Sequence, residues 1–448
     1  MPMSLRTAKE VFEAHLPAWI QNKQRIDKWE RWYRGDHQKP SLPARSTTEY
    51  KELLKRSPTP WMGLVVTSVA QALFVEGLRS SVREDDESTS WKIWQANHLD
   101  GRQSALWRGA LAHGLSYARV LPGDPLPVIR GVSARRMLAF YQDAAEDDWP
   151  MYAIEGQPTF QDRVWRFRLY DDEAIYTFDT VPREGERVTY ITTDTHAIGV
   201  TPIVRVANQI DLDGRSVGEV EPFIPLISRI DQDTFDRLVV QRFQSWAVRW
   251  ITGLVLPDQR EEAQKEKLRL RAEDILIAPD PDTKIGSLPA GDLSGLIAAR
   301  DADIKDLAAV SQTPPHYLLG QIINVSAEAL AAAEAALNRK VEERKHIFGE
   351  AVEQALRLAA HLAGDSEEAE DVASEVRWRD MEARSLAQVA DALGKMATML
   401  GVPVEALWEK IPGTTLTEVN RWAELRRRDD VLGQMLAQIA PDAPAAAQ

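Results

Sequence analysis

The strongest constraint on this chain is a single uninterrupted helical pattern, from about Ser326 to the residue before Gly364. Its apolar positions return every eleven residues, as Leu330, Val341 and Val352 and in parallel as Leu337, Phe348 and Ala359. Eleven residues correspond to ~3.67 per turn, so the stripe runs nearly along the axis and does not wind to the left. Ser326 reads as the N-cap with Glu328 in the first turn, and Gly364 as the stop. At ~1.5 Å per residue the predicted rod is on the order of 55 Å long. A compact domain rarely needs such a beam, so several domains or one elongated subunit are expected.

The rest of the chain is consistent with that expectation. Its 448 residues exceed one ordinary domain, and 44% hydrophobic content is enough for a packed core. The absence of cysteine excludes a disulfide framework, a thiolate metal site and a cysteine nucleophile. The start, Met1-Pro2-Met3-Ser4-Leu5-Arg6, carries no apolar secretion core, and no window approaches the ~18 apolar residues of a membrane span. A net charge of −14 argues against a generic nucleic-acid binder, which normally carries a basic face. The acidic runs Glu84–Glu87, Glu146–Asp148 and Glu367-Glu368 are expected to be solvated loops.

Helices are predicted over about 4–38, 60–75, 88–97 and 101–114. Between Ala118 and Val206 short β-prone runs (Tyr117–Leu121, Val164–Tyr170, Ala174–Phe178, Arg187–Thr192) alternate with turn residues, which predicts antiparallel strands. From Val220 to Trp250 the residues Phe235, Leu238, Val239, Phe243, Trp246 and Trp250 share one helical face. A small insert at 252–290 fits two short strands around a helix. A second helix at 292–311 ends at Thr313-Pro314-Pro315, where proline removes the amide donors. Two or three helices follow over 380–438, and the Pro/Ala-rich end at 439–448 is expected to be disordered. The fold class expected is α+β and mostly helical.

Catalytic signals are weak. Gly214-Arg215-Ser216-Val217-Gly218 matches the nucleophile elbow of serine hydrolases, but the elbow needs a helix directly after it. Here Pro222 and Pro225 occupy the positions where that helix would start, so a plain turn is the better reading and Ser216 an improbable nucleophile. Glu343 and His346 have i, i+3 spacing, yet a di-metal site needs a second such pair and further carboxylates. No phosphate-cradling glycine motif occurs. The tryptophan pairs Trp29/Trp32, Trp91/Trp94 and Trp246/Trp250 each share a predicted helix face, where packing in a core or at a subunit interface is the natural use.

The order of parts resembles the portal proteins of tailed bacteriophages, above all those of actinobacterial siphophages. The resemblance rests on Trp32-Tyr33-Arg34-Gly35, on Trp91–Asn97, and on Gly214-Arg215-Ser216 ahead of Ile224-Pro225-Leu226. It also rests on Thr313–Gly320 followed by Ala327-Glu328-Ala329-Leu330, and on Ala387–Lys395. It implies a portal-type fold with wing, stem, clip and crown regions, assembled as a homo-dodecamer ring around a DNA channel. Residues 1–219 would be the wing, 220–251 and 291–312 the two stem helices, and 252–290 the clip. Residues 313–325 would hold the tunnel loop, 326–364 the long wing helix, 365–438 the crown helices and 439–448 the tail. Gln321, Ile322, Ile323, Asn324 and Val325 would narrow the channel, and Arg300 and Lys305 would face it or make intersubunit ion pairs. Arg260, Lys265, Lys267 and Arg269 would meet partners at the clip.

The implied partners are further copies of the chain, double-stranded DNA, the terminase large subunit, the head–tail adaptor, and the major capsid and scaffold proteins, with no membrane. No enzyme activity, cofactor or metal is implied. The place is the portal vertex of the virion, after assembly in the host cytoplasm. Another head–tail connector ring is the alternative, disfavoured by the length of the chain. The physics fits a conduit. Each Lys/Arg–phosphate contact adds affinity by releasing counterions, so an acidic wall, roughly −168 over twelve copies, favours passage over gripping.

Overall fold

In the computed structural model, the described residues are 2–37, 48–82, 88–161, 163–183, 185–244, 249–252, 284–287, 293–320, 327–379, 386–408, 410–411, 414 and 416–429. They combine helices with antiparallel sheet, as the pattern of the sequence predicts. The chain divides into two compact units. The first comprises residues 1–70, 105–118 and 131–348, and the second residues 71–104, 119–130 and 349–448.

The first unit opens with a 30-residue helix, Leu5–Arg34. The Ser4 hydroxyl caps it by accepting the Thr7 amide at 3.2 Å. Gly35, at φ 72°, ends it by returning its own N–H to the Arg31 and Trp32 carbonyls. Only a residue without a Cβ takes that left-handed turn at little cost. The apolar face of this helix (Phe12, Leu16, Trp19) packs on a five-stranded antiparallel meander made by Met137–Phe140, Tyr152–Pro158, Trp165–Tyr170, Ala174–Thr180 and Thr189–Thr195. In the meander Gly156 lies opposite Phe167, and Phe167 opposite Phe178. A Cβ at Gly156 would stand 2.5 Å from the Trp19 ring and 2.6 Å from Phe167, so the helix closes on the sheet only over glycine.

A second, three-stranded sheet orders Val128–Ser133, Leu115–Leu121 and Ile203–Ala207. Later in the chain come the helices Ile224–Gln244 and Ser294–Val310, and then the long helix Ala327–Leu362. The eleven-residue repeat predicts what the long helix buries. Leu337, Val341 and Phe348 in the first unit, and Val352 and Ala359 in the second, are all buried, and Leu330 is half-buried. Gly364, at φ 81°, ends the helix as predicted, with the Asp365 amide on the Ala360 carbonyl. The proposed cap Ser326 lies outside the described residues.

In the second unit the strand Val75–Arg79 pairs antiparallel with Glu375–Trp378. The Glu353 carboxylate accepts the Val376 amide at 2.9 Å. Helices Leu386–Leu400, Val404–Trp408 and Leu416–Asp429 answer to the two or three helices predicted over 380–438.

Three expectations need correction. The helix read over Val220–Trp250 stops at Gln244. Arg249–Thr252 is instead a strand, paired with Lys284–Ser287, so Trp250 belongs to a strand and not to the helix, while Trp246 lies outside the described residues. The pairing partner lies more than thirty residues away, and local periodicity cannot register it. These two strands bracket the insert, while the apolar runs read inside it, Gly253–Pro257 and Ile275–Ala278, lie outside the described residues. The stretch from 365, read as helices throughout, begins with a one-turn helix and a strand. Lastly, the run Glu367-Glu368 is not a solvated loop, because Glu368 is buried and its carboxylate accepts the Thr89 and Ser90 amides at 2.7 and 2.8 Å. It neutralises the amides that open the helix Thr89–Ala96.

Candidate functional site

The features that set this chain apart converge on the paired helices of the first unit and on the residues that anchor them. Pro222 sits in a one-turn 3-10 helix leading into Ile224–Gln244 and Pro225 in the first turn, where a missing N–H costs nothing. Ile227, Ile230, Thr234 and Phe235 are buried on one side, and Ile304, Leu307 and Ala308 on the partner helix. Between the helices the Arg229 guanidinium reaches Asp303 at 2.6 Å and Asp306 at 3.4 Å. Burial pushes the Asp233 carboxyl above the usual range, and the neighbouring Asp303 and Asp236 carboxylates push it further. Three carboxylates thus share one guanidinium at this level of the pair.

One turn farther from the anchored ends the balance reverses. Arg300 lies on the same face as buried Ile304, its guanidinium 5.8 Å from the centre of the Trp61 ring and 3.5 Å from Asp301. Lys305 is exposed. Gln321–Val325, expected to form a tunnel loop, and Arg260, Lys265, Lys267 and Arg269, expected in a clip, lie outside the described residues.

Two buried constellations hold the helix pair, and the sequence reading singled out neither. The first is a junction on the long helix. The Lys340 ammonium meets Glu219 at 2.5 Å and donates to the Ser311 carbonyl at 3.0 Å. The Arg344 Nε donates to Asn208 Oδ1 at 2.6 Å, and its Nη2 lies 3.7 Å from Glu219. Glu219 precedes the first paired helix and Ser311 closes the second, so one carboxylate and two cations tie both inner ends to the long helix. A glycine pair makes this possible. A Cβ at Gly218 would stand 2.5 Å from the Gly114 amide nitrogen, and this close approach lets the Glu219 amide reach the Leu111 carbonyl at 2.7 Å. The signal for the junction was present, since Lys340 and Arg344 interrupt the apolar stripe between Leu337 and Phe348.

The G-x-S-x-G motif resolves at the same place. Ile210 and Ser216 form an antiparallel bridge around a turn whose Gly214 has φ 75°, and Gly218 serves the close packing just described. It is a plain turn, as its prolines predicted.

The second constellation fastens the end of the first helix. Trp32 stacks on His37 with ring centroids 3.7 Å apart, and the His37 Nε2 lies 2.7 Å from the Asp231 carboxylate on the paired helix. The other Asp231 oxygen accepts the Thr59 amide at 3.4 Å. Glu30 lies 2.8 Å from the His113 ring, and that hydrogen bond holds its carboxyl down to about 2 against the opposing effect of burial. The Trp32-Tyr33-Arg34-Gly35 run is therefore an anchor for the helix pair. A cleft of about 540 Å³ beside it is lined by Asp27, Glu30, Arg31, Arg34, Asp36 and Arg135, whose charges cancel. Trp29 is buried and Trp91 stacks on buried Trp94 at 5.9 Å, so these tryptophans serve packing.

Glu343 and His346 are both exposed, and among the described residues no group of histidines and carboxylates could hold a metal ion. No helix among those residues is long and apolar enough to cross a membrane.

A family model described as phage portal protein, SPP1 Gp6-like, matches residues 15–431. The portal protein of Mycobacterium phage D29 is 30% identical over 354 residues, covering 74% of this chain and 71% of that relative. The portal protein of Mycobacterium phage L5 is 27% identical over 386 residues, covering 82% and 77%. Among solved structures, a chain described as the neck of an empty GTA particle computed with C6 symmetry is similar at 13% identity with a TM-score of 0.46, covering 81% of this chain and 96% of that one.

Proposed function

This chain belongs to the SPP1 Gp6-like family of phage portal proteins, and from that membership we propose that it assembles as a ring at one capsid vertex and forms the channel for genome packaging and ejection. The observation that carries the reading is the span of the family match, residues 15–431, which includes the paired helices, the long helix and the helices near the end. In this reading the paired helices are the stem, the strands Arg249–Thr252 and Lys284–Ser287 are the base of the clip, and residues 365–438 belong to the crown. The clip, with Arg260, Lys265, Lys267 and Arg269, docks the terminase large subunit during packaging and the head–tail adaptor afterwards. The wing and crown meet capsid and scaffold proteins. The ring itself hydrolyses nothing, and a separate motor supplies the work.

The net charge of −14 per chain supports the role of a conduit. A rod of phosphates slides where each contact releases few counterions. Exposed Lys305, between Asp303 and Asp306, is an isolated cation on an acidic helix and faces the channel in this reading.

Mass photometry and negative-stain microscopy of the purified chain test the assignment, with rings of about twelve copies around a hole as the expected result. A monomer at every concentration and salt overturns it. Deleting Gln321–Val325 is expected to leave ring assembly intact and to impair packaging or retention of DNA. Failure of the deleted chain to assemble places that segment in an interface instead.

A further inference from the structure

The charges on the helix pair are separated by level. Near the anchored ends Asp233, Asp303 and Asp306 share Arg229, and Asp306 is 67% exposed. The Arg229–Asp303 contact and the proximity of Asp233 to Asp303 fix an antiparallel register. Carried one further turn, that register sets Arg237 level with residues 299–300. By that register two half-buried arginines, Arg237 and Arg300, fall at one level of the pair. Among the described residues Arg237 makes no side-chain hydrogen bond or ion pair, and the carboxylate paired with Arg300 is that of its chain neighbour Asp301, at 3.5 Å. The Nε of each arginine is buried without an acceptor among the described residues, as is the indole N–H of Trp61 beneath Arg300. Three buried donors without acceptors are costly, and two of them belong to groups that cannot shed their charge.

The geometry points to an acceptor supplied by a second copy of this chain: the carboxylate level of one helix pair, led by exposed Asp306, docks on the guanidinium level of its neighbour at Arg237 and Arg300. The inference rests on the ring reading and names the contact that sets the stagger between adjacent helix pairs. Charge complementarity commits the occupant, since the surplus of carboxylate at one level matches the deficit at the next on an identical surface. A DNA phosphate is the weaker fit. Arg300 lies on the packed face over Trp61 rather than with exposed Lys305. Pairing between copies also leaves the channel wall acidic, which keeps DNA mobile.

Complementation between two full-length variants tests this. Arg237→Glu with Arg300→Glu in one chain, and Asp306→Arg in the other, should each raise the concentration for half-assembly by ~10-fold or more in mass photometry. Mixing the two should restore ring formation to within ~3-fold of the unaltered chain, because alternating copies meet opposite charges at every contact. Variants that assemble as well as the unaltered chain overturn the inference and leave the ring reading standing. An unaltered chain that forms no ring removes the ring reading itself. Separate failure without recovery on mixing shows that the arginines act within their own chain, which also overturns it. Intact assembly with weakened binding of duplex DNA in a mobility-shift assay assigns the arginines to phosphate and does the same. Should the charge-reversed chain not fold, Arg237→Gln with Arg300→Gln carries the test. Weaker assembly that responds less steeply to salt is then expected, and unchanged assembly and salt response count against the pairing.

Discussion

Two sets of ion pairs on one fold behave as different materials. At the junction, Lys340 and Glu219 have side chains 5% and 6% exposed, and Arg344 is 2% exposed. On the helix pair, Arg229 is 56% exposed where it meets Asp303 and Asp306. The chemistry is the same in both, a cation beside a carboxylate, but the solvent differs. Water screens the helix-pair contacts, which contribute little to folding and remain available for exchange with other charges. No water screens the junction, where an uncompensated charge is intolerable and the geometry is fixed. In the proposed ring, where the long helix is held to a helix pair whose outer face meets a neighbouring copy, both kinds have a use.

The largest effect expected from this contrast is at Lys340. Lys340→Met leaves Glu219 buried with only the longer Arg344 contact, and breaking a buried pair in this way costs about 3 kcal/mol or more. Denaturant unfolding of the full chain measures it. Lys340→Met combined with Glu219→Gln is expected to recover a large part of the loss, since the orphaned charge is then gone. Additive losses in the double variant show that the two residues are not coupled.

Much of this architecture is legible in the amino-acid order, for identifiable reasons. The long helix announces itself because an eleven-residue repeat has one interpretation, and Leu337, Val341 and Phe348 are buried as that repeat requires. The meander is legible because turn residues punctuate its β-prone runs. The outer end of the first paired helix is not, since Trp246 and Trp250 continue a helical spacing while Arg249–Thr252 answers to a strand some thirty residues on. The junction is half legible. Two cations inside an apolar stripe signal burial, but the choice of Glu219 as partner depends on Gly114 and Gly218 touching, a contact between segments a hundred residues apart. The strand Val75–Arg79 is not legible locally for the same reason, since Glu375–Trp378 completes it. What depends on neighbours in sequence can be read, and what depends on neighbours in space cannot.

A middle-sized effect separates the buried class further by pH. Glu30 titrates near 2 in the folded chain against an ordinary 4.5, with the His113 hydrogen bond as the leading cause. A carboxyl whose folded value is depressed contributes stability that is complete above its unfolded value and is lost as pH falls toward the folded one. The adjoining cleft admits solvent, so the contribution is about 2 kcal/mol at neutral pH. Glu30→Gln is therefore expected to be less stable than the unaltered chain by about that much at pH 7, with the difference shrinking below pH 4.5 and nearly gone by about pH 2. A constant difference across the range would show that Glu30 acts through shape and not charge.

The smallest effect belongs to the exposed class, and it is the one that sharpens the contrast most. Arg229→Ala removes contacts to Asp303 and Asp306 in which two of the three side chains are more than half exposed. Its cost to folding is expected to stay below about 1 kcal/mol in dilute buffer and to vanish at high salt, where the screening length falls to roughly 3 Å. The Lys340 effect should keep most of its size in the same salt titration, because no ions reach a buried pair. If Arg229→Ala instead costs as much as Lys340→Met, and does so at any ionic strength, the helix pair is held by its charges rather than by Ile227, Ile230, Ile304 and Leu307. Its outer face would then be structural, with nothing to spare for a neighbouring copy.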